Sequence, residues 1–166
     1  MLSEDKIQEL YHKLAPKLTN YLVASGLDYA SACDITQECF VRLWKKRETI
    51  EDNNYISCFI FAVAKNLKID RYRRNKFIVF QEELNNESDG STEQPENEDD
   101  LIYLRKRLNQ ALNTLPENLR EVYTLFQIAG RNIKEITRLT GTSESNVKVR
   151  IHRAKEKLSI LLQDLQ

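Results

Sequence analysis

Between Glu82 and Asp100 the chain reads EELNNESDGSTEQPENEDD, a stretch in which Leu84 is the single large apolar residue. Residues 81–100 carry nine acidic and no basic side chains. Such a segment cannot bury enough apolar surface to offset the entropy of ordering it, so it is expected as a flexible tether outside any core. That constraint divides the 166 residues into two bodies, 1–80 and 101–166, joined by an acidic linker at 81–100. Each body lies in the size range of a small independent domain.

The zero net charge of the whole chain hides this division. Residues 1–80 hold 13 basic and 10 acidic groups, net +3, and residues 101–166 hold 12 and 6, net +6. Two basic bodies flank an acidic strap, which favours a polyanion as partner. The apolar fraction of 41%, with only 4 Gly and 3 Pro, predicts a helix-rich globular protein. No alternating strand pattern with hairpin turns interrupts the helical periodicity, so the fold class is all-α.

The N-terminal body reads as three helices. Ile7, Leu10, Leu14, Leu18 and Leu22 mark one over about Lys6–Ser25, where Pro16 is a candidate kink or boundary and Gly26 a stop. A second is expected from Tyr29 to Lys46 with Ile35, Phe40, Leu43 and Trp44 inward, and a third from Tyr55 to Arg74. The C-terminal body adds helices near Leu101–Thr114 and Glu117–Ala129, with Pro116 at an N1-like position. A helical pair completes it over Asn132–Leu158.

In that pair Gly141 suits the left-handed position that ends a helix, and Thr142 or Ser143 can cap the next one. At about 100° per residue Val147, Ile151, Ala154 and Leu158 share a narrow stripe, with Ser145, Lys148, Val149, His152 and Arg153 roughly opposite. A helix anchored on one side with short polar and long basic groups opposite suits the major groove of DNA. A helical hairpin with a solvated charged face fits the same pattern.

The long helix, FIFAVAKNLKIDRYRR at Phe59–Arg74, has Ile56, Ile60, Val63 and Leu67 as a core stripe. Phe61, Lys65, Lys68 and Tyr72 line up on the other side, and Arg71, Arg73, Arg74 and Lys76 extend the positive end. Interleaved aromatic and basic residues offer stacking surfaces beside phosphate contacts, which suits unpaired nucleic acid strands. The same residues also fit a domain interface with a solvated helix end. In DITQECFVRLW, Asp34, Gln37, Glu38 and Arg42 share a polar stripe that is either solvated or a docking surface for a protein.

Other chemistry finds little support. Cys33, Cys39 and Cys58 lack the close paired spacing of a zinc site, and His12 and His152 are far apart in sequence, so no metal is expected. Reduced core thiols in the cytoplasm are the simpler reading. Neither a glycine-rich phosphate loop nor a catalytic triad nor a metal-carboxylate cluster is present, so neither enzymatic activity nor a cofactor is expected. No apolar run approaches the roughly 20 residues that span a bilayer, and MLSEDKIQEL has no secretory pattern, so no membrane insertion is expected.

Four motifs, DITQECFVRLW, FIFAVAKNLKIDRYRR, LPENLREVYTL and SNVKVRIHRAKEKL, resemble in order and spacing those of bacterial extracytoplasmic-function sigma factors. The resemblance covers nearly everything outside the acidic strap. It implies a non-enzymatic subunit that binds core RNA polymerase and directs promoter recognition, DNA melting and initiation. By resemblance, Asp34, Gln37, Glu38 and Arg42 dock on a coiled coil of the largest polymerase subunit. Asn53, Asn54 and Tyr55 near the loop, with Lys65, Asn66, Arg71 and Arg73 on the helix, recognise and melt the −10 element. Lys148, Val149, His152 and Arg153, with Asn146 and Arg150 nearby, read the −35 duplex. An anti-sigma factor is implied as a further partner.

The chain departs from the family pattern at three positions. Ala62 stands where arginine is frequent, Phe59 where tryptophan is frequent, and Val149 where a small polar residue is common. At Val149 the expected base contact becomes apolar, toward a thymine methyl. From the residues alone, a dimeric helix-turn-helix operator binder and a helical adaptor without DNA remain open. The operator binder does not account for the aromatic-basic helix or the polar stripe at Asp34–Arg42, and the adaptor makes the +6 C-terminal body and the groove-suited helix coincidental.

Overall fold

In the computed structural model, residues 1–52, 54–83 and 100–163 are described; the loop residue Asn53 and most of the acidic strap lie outside them. Seven α-helices and one π-helical turn, with no strand, make up the described residues.

Helix α1 runs over Glu4–Ala24. Ser3 caps it by accepting from the Lys6 amide at 3.2 Å, and Glu4 and Asp5 complement the positive end of the helix dipole. The helix continues through Pro16, which therefore marks no boundary. Helix α2 spans Tyr29–Lys45, capped by Asp28 on the Ser31 amide. That hydrogen bonding to Ser31 holds the Asp28 carboxyl below its ordinary range. Thr19 of α1 and Thr36 of α2 share a 2.9 Å hydrogen bond where the helices cross.

Helix α3 covers Ile56–Glu83, continuing nine residues past the Arg74 end expected from periodicity. Helix α4 spans Asp100–Thr114 and α5 Glu117–Tyr123. Pro116 occupies the N-cap, one residue before the N1 position expected, where its missing N–H is equally harmless. Helix α5 passes into the π-helical turn Thr124–Ile128, where the Ala129 amide reaches the Thr124 carbonyl at 2.9 Å. A one-residue expansion of this kind rotates the downstream chain relative to a straight helix.

Helix α6, Ile133–Thr140, opens with a capping box: Asn132 accepts from the Glu135 amide at 2.9 Å, and Glu135 accepts from the Asn132 amide at 3.1 Å. Gly141 ends it at φ +70°, the left-handed conformation expected. Ser143, of the two candidate caps, then starts α7 at Glu144–Leu161.

Two clusters hold the molecule together. The larger joins Leu14, Leu18, Tyr21 and Leu22 of α1, Ile35, Cys39 and Leu43 of α2, and Ile56, Ile60, Phe61 and Ala64 of α3. It continues without a break into Val122, Leu125, Ala129, Ile136, Val147 and Ile151 of the C-terminal body. The smaller gathers Ala111, Leu112, Leu115, Leu119, Ala154 and Leu158, closed by Ala24 at the end of α1. Each fully buried large side chain contributes about 1.5–3 kcal/mol relative to exposure, so the shared cluster is the main force holding the two bodies in contact.

Trp44 departs from its expected inward position: it is 39% exposed. It lies at the edge of the α2 stripe in the last turn, where the Arg47 guanidinium covers its ring from 4.2 Å.

Candidate nucleic-acid interface

The α7 face is set directly by its packing. Val147, Ile151, Ala154 and Leu158 are all buried, so the opposite side of the helix must point away from the core. Asn146, Lys148, His152 and Arg153 are exposed there, with Arg150 half-buried at the edge. Val149 is 44% exposed among them, an apolar group on an otherwise polar and cationic surface. His152 Nε2 lies 3.2 Å from Glu156 Oε1, one turn along. Cationic side chains around a small apolar one, on a helix fixed rigidly from behind, have the chemistry of a major-groove reader.

Helix α3 is buried on two sides. Ile56 and Ile60 face α1 and α2 as expected, with Val63 and Leu67 half-buried against the same cluster. The aromatic-basic side faces the C-terminal body. Phe61 has no exposed surface; it meets Tyr21 edge-on at 5.7 Å and lies beneath the Arg131 guanidinium at 5.0 Å. Lys65 Nζ donates to the Leu139 carbonyl at 2.9 Å and forms an ion pair with Glu121 Oε1, also at 2.9 Å. The ion-pair geometry is not that of an aligned hydrogen bond, since Glu121 Oε1 has no hydrogen-bond partner. Lys68 sits 5.3 Å over the Tyr21 ring, and burial lowers its pKa. Tyr21 is pushed upward by burial, with its hydroxyl unpartnered.

The far end of α3 is open. Tyr72 is 65% exposed, and Asn66, Arg73, Arg74 and Lys76 are exposed as well. Arg71 pairs with Asp34 of α2 at 3.6 Å. At the near end Asn54 is exposed, and Tyr55 accepts a 3.2 Å hydrogen bond from Arg138 of α6, whose guanidinium also stacks on its ring at 4.3 Å. Asn53 lies outside the described residues. The site thus collects Asn54 and Tyr55 in the turn before α3, and Phe61, Lys65, Asn66, Lys68, Arg71, Tyr72 and Arg73 along the helix itself. Phe61, Lys65 and Lys68 are covered, and Tyr55 is engaged from the side.

On α2, Asp34, Gln37 and Arg42 are exposed, and Glu38 is half-buried with its carboxylate 2.9 Å from Arg42 Nε. The four lie together on one outward surface. Glu121, Arg131, Glu135 and Arg138, which contact α3 or flank it, had no signal in the sequence beyond the place of Glu121 inside LPENLREVYTL.

Comparison with known proteins gives these surfaces a context. The family model Sigma-70 region 2 matches residues 10–78, and Sigma-70, region 4 matches residues 105–158. The RNA polymerase sigma factor CarQ of Myxococcus xanthus is 26% identical over 164 residues, covering 99% of this chain and 93% of that protein. The ECF RNA polymerase sigma factor SigM of Bacillus subtilis (strain 168) is 26% identical, covering 93% and 94%. Among solved structures, the sigma factor RpoE in complex with the anti-sigma factor NepR from Bartonella quintana aligns with a TM-score of 0.75 at 20% identity, covering 97% of this chain and 98% of that one. CnrH in complex with the cytosolic domain of CnrY aligns at 0.72 and 22%, covering 98% and 90%.

Proposed function

The chain belongs to the sigma-70 family as an extracytoplasmic-function sigma factor, a non-enzymatic initiation factor that binds core RNA polymerase and directs promoter recognition, and we propose how its surfaces divide that work. The −35 duplex is read by α7 through Lys148, Val149, His152 and Arg153, with Asn146 and Arg150 at the edges. The observation that carries this assignment is the alternation on α7, whose buried stripe leaves those side chains outward. Lys148 and Arg153 supply hydrogen-bond donors to guanine edges or phosphates, and Val149 offers an apolar contact to a thymine methyl.

The −10 element is held by the N-terminal body, 1–80, as a melted strand along Asn53, Asn54, Tyr55, Phe61, Lys65, Asn66, Lys68, Arg71, Tyr72 and Arg73. Its support is the alternation of aromatic and cationic groups along one helix, suited to stacking on bases beside phosphate contacts. Residues 101–166 form the −35 module, and 81–100 link the two. Core polymerase docks on Asp34, Gln37, Glu38 and Arg42. An anti-sigma factor is a further partner: the sigma factor RpoE and CnrH were each solved in complex with a second protein, NepR being an anti-sigma factor. No helix among the described residues is long and apolar enough to cross a membrane, and we place the protein with polymerase in the cytoplasm.

Transcription with purified core polymerase tests this reading. Promoter-dependent initiation on adding the chain is expected, and Asp34→Ala with Glu38→Ala should weaken holoenzyme assembly while leaving helicity intact. Operator binding without any effect on polymerase would contradict the reading, and unchanged assembly by the double variant would remove the docking assignment.

A further inference from the structure

Lys68, Tyr72 and Lys76 recur at every fourth residue of α3 and so share one helical face, with Arg73 beside them. That face forms one wall of a cleft of about 590 Å³. The turn Ser25–Leu27 between α1 and α2 lines it as well, and Asn113 of α4 with Glu117 and Arg120 of α5 enter it from the C-terminal body.

The charges that line this cleft do not balance. Lys68, Arg73, Lys76 and Arg120 meet there with a single carboxylate, that of Glu117. Arg120 donates to a neutral acceptor, the Asn113 amide oxygen, at 3.2 Å. Lys68 is half-buried, and burial lowers its pKa against the opposing pull of Glu121 and Glu117. Its ammonium makes neither a hydrogen bond nor an ion pair with any described residue and lies over the Tyr21 ring at 5.3 Å. The hydroxyl of that same tyrosine is buried without a partner. A cation held in a partly desolvated position without a paired anion costs free energy, and an anion bound beside it relieves that cost.

We propose that the cleft is a binding site for a small ligand carrying a diphosphate group, with half-buried Lys68 and Arg120 and exposed Arg73 and Lys76 as its donors. A diphosphate presents several charged oxygens in one compact group, which matches four cations better than a lone carboxylate does, and the guanidinium forks of Arg73 and Arg120 fit phosphate oxygens. The volume lies in the range of small-molecule sites. Tyr72, 65% exposed on the same face, offers a ring on which a base can stack. Inorganic diphosphate and a nucleoside diphosphate therefore share the recognised group and differ at that ring. Because the donors come from α3 and α5, the ligand ties these helices together and stabilises the folded chain as it fills the site. The site stands on the cleft and its charges, not on the assignment of Lys68, Tyr72 and Arg73 to the melted strand.

Isothermal titration calorimetry on the full chain tests this, with pyrophosphate and, separately, ADP as magnesium-free probes. At about 0.15 M salt the long-range attraction of anions to exposed charges is largely screened. Saturable binding is expected, with a thermal midpoint that rises with ligand concentration. Lys76→Glu and Arg120→Glu should each weaken binding roughly tenfold or more through loss of a charge-assisted contact. Lys134→Glu, the same charge change on the exposed surface of α6 outside the cleft, should leave it within about twofold. Lys68→Met keeps the apolar stem over Tyr21 but removes the charge, and should weaken both probes while circular dichroism shows the helices intact. Tyr72→Ala that weakens ADP alone supports the site in its nucleotide form, and unchanged affinity for both probes supports it as a site for the diphosphate group by itself.

Absence of saturable binding by either probe overturns the site. So does competition by sulfate or citrate as effective as that of pyrophosphate, which would mean a general attraction of anions. Equal weakening by Lys134→Glu and Lys76→Glu, or unchanged affinity in folded Lys68→Met, overturns it as well. Promoter-dependent transcription by the holoenzyme is a separate readout, so failure of the site leaves the initiation function standing.

Discussion

Phe61 and Tyr72 lie on the same face of α3 by helical spacing, yet their surroundings differ so far that truncating each should give opposite results. Phe61 has no exposed surface, touches Tyr21 edge-on and lies under Arg131. Replacing it with alanine removes the transfer energy of a buried ring and leaves a cavity between two bodies. Such truncations cost about 3–5 kcal/mol, within which the aromatic pair accounts for about 0.5–1.5. Tyr72 is 65% exposed and has no such contacts to lose, so Tyr72→Ala should stay within about 0.5 kcal/mol. Urea unfolding followed by circular dichroism at 25 °C is the assay. With a slope of about 2 kcal/mol/M, a loss of about 4 kcal/mol moves the midpoint by about 2 M, and the tyrosine variant should move it by less than about 0.3 M. A shift below about 0.5 M for Phe61→Ala would mean that the ring is not held between the bodies in solution.

Three further outcomes rest on single features. Lys148→Ala or Arg153→Ala should cost about 1–3 kcal/mol in promoter binding and relax preference at one −35 position, measured by competition among single-base variants; a loss uniform across sequences reassigns the residue to phosphate contact. Asn132→Ala removes one half of the capping box and should cost about 1 kcal/mol of thermal stability, and Gly141→Ala a similar amount through left-handed strain alone, since nothing lies within 4 Å of an added Cβ. Burial raises the Cys39 thiol to about 12, so it should resist a thiol-specific reagent at pH 8 until the protein unfolds, whereas half-buried Cys33 is modified. Because the folded thiol holds its proton above the ordinary value of 9.0, its contribution to stability is complete below that pH and is lost as pH rises toward 12.

What the sequence made legible is what local periodicity controls. The α7 stripe, the left-handed Gly141 and the cap at Ser143 depend on residues within a turn or two of each other, and each is readable from spacing. The capping box at Asn132 and Glu135 is readable in principle from its spacing but is easily missed beside the stronger basic pattern. The π-helical turn is not readable, because one additional residue per turn leaves no compositional mark. Trp44 departs from the inward position because a residue at the edge of an apolar stripe can be covered from either side, here by Arg47. Above all, periodicity can say that Phe61 and Lys65 share a face but not what lies against it. The groups that do, Arg131, Glu121 and the Leu139 carbonyl, are distant in sequence and become neighbours only when the two bodies pack.

The central claim is that one chain grips a promoter twice, through α7 on duplex DNA and through α3 on the melted strand. Site-specific photo-cross-linking in the initiating holoenzyme addresses this directly, with a photoreactive side chain introduced at Val149 in one preparation and at Tyr72 in another. Position 149 should give adducts on double-stranded DNA around −35, and position 72 adducts on the non-template strand around −10 that require an opened promoter. Adducts from both positions on the same element, or from neither while the holoenzyme initiates normally, would contradict it.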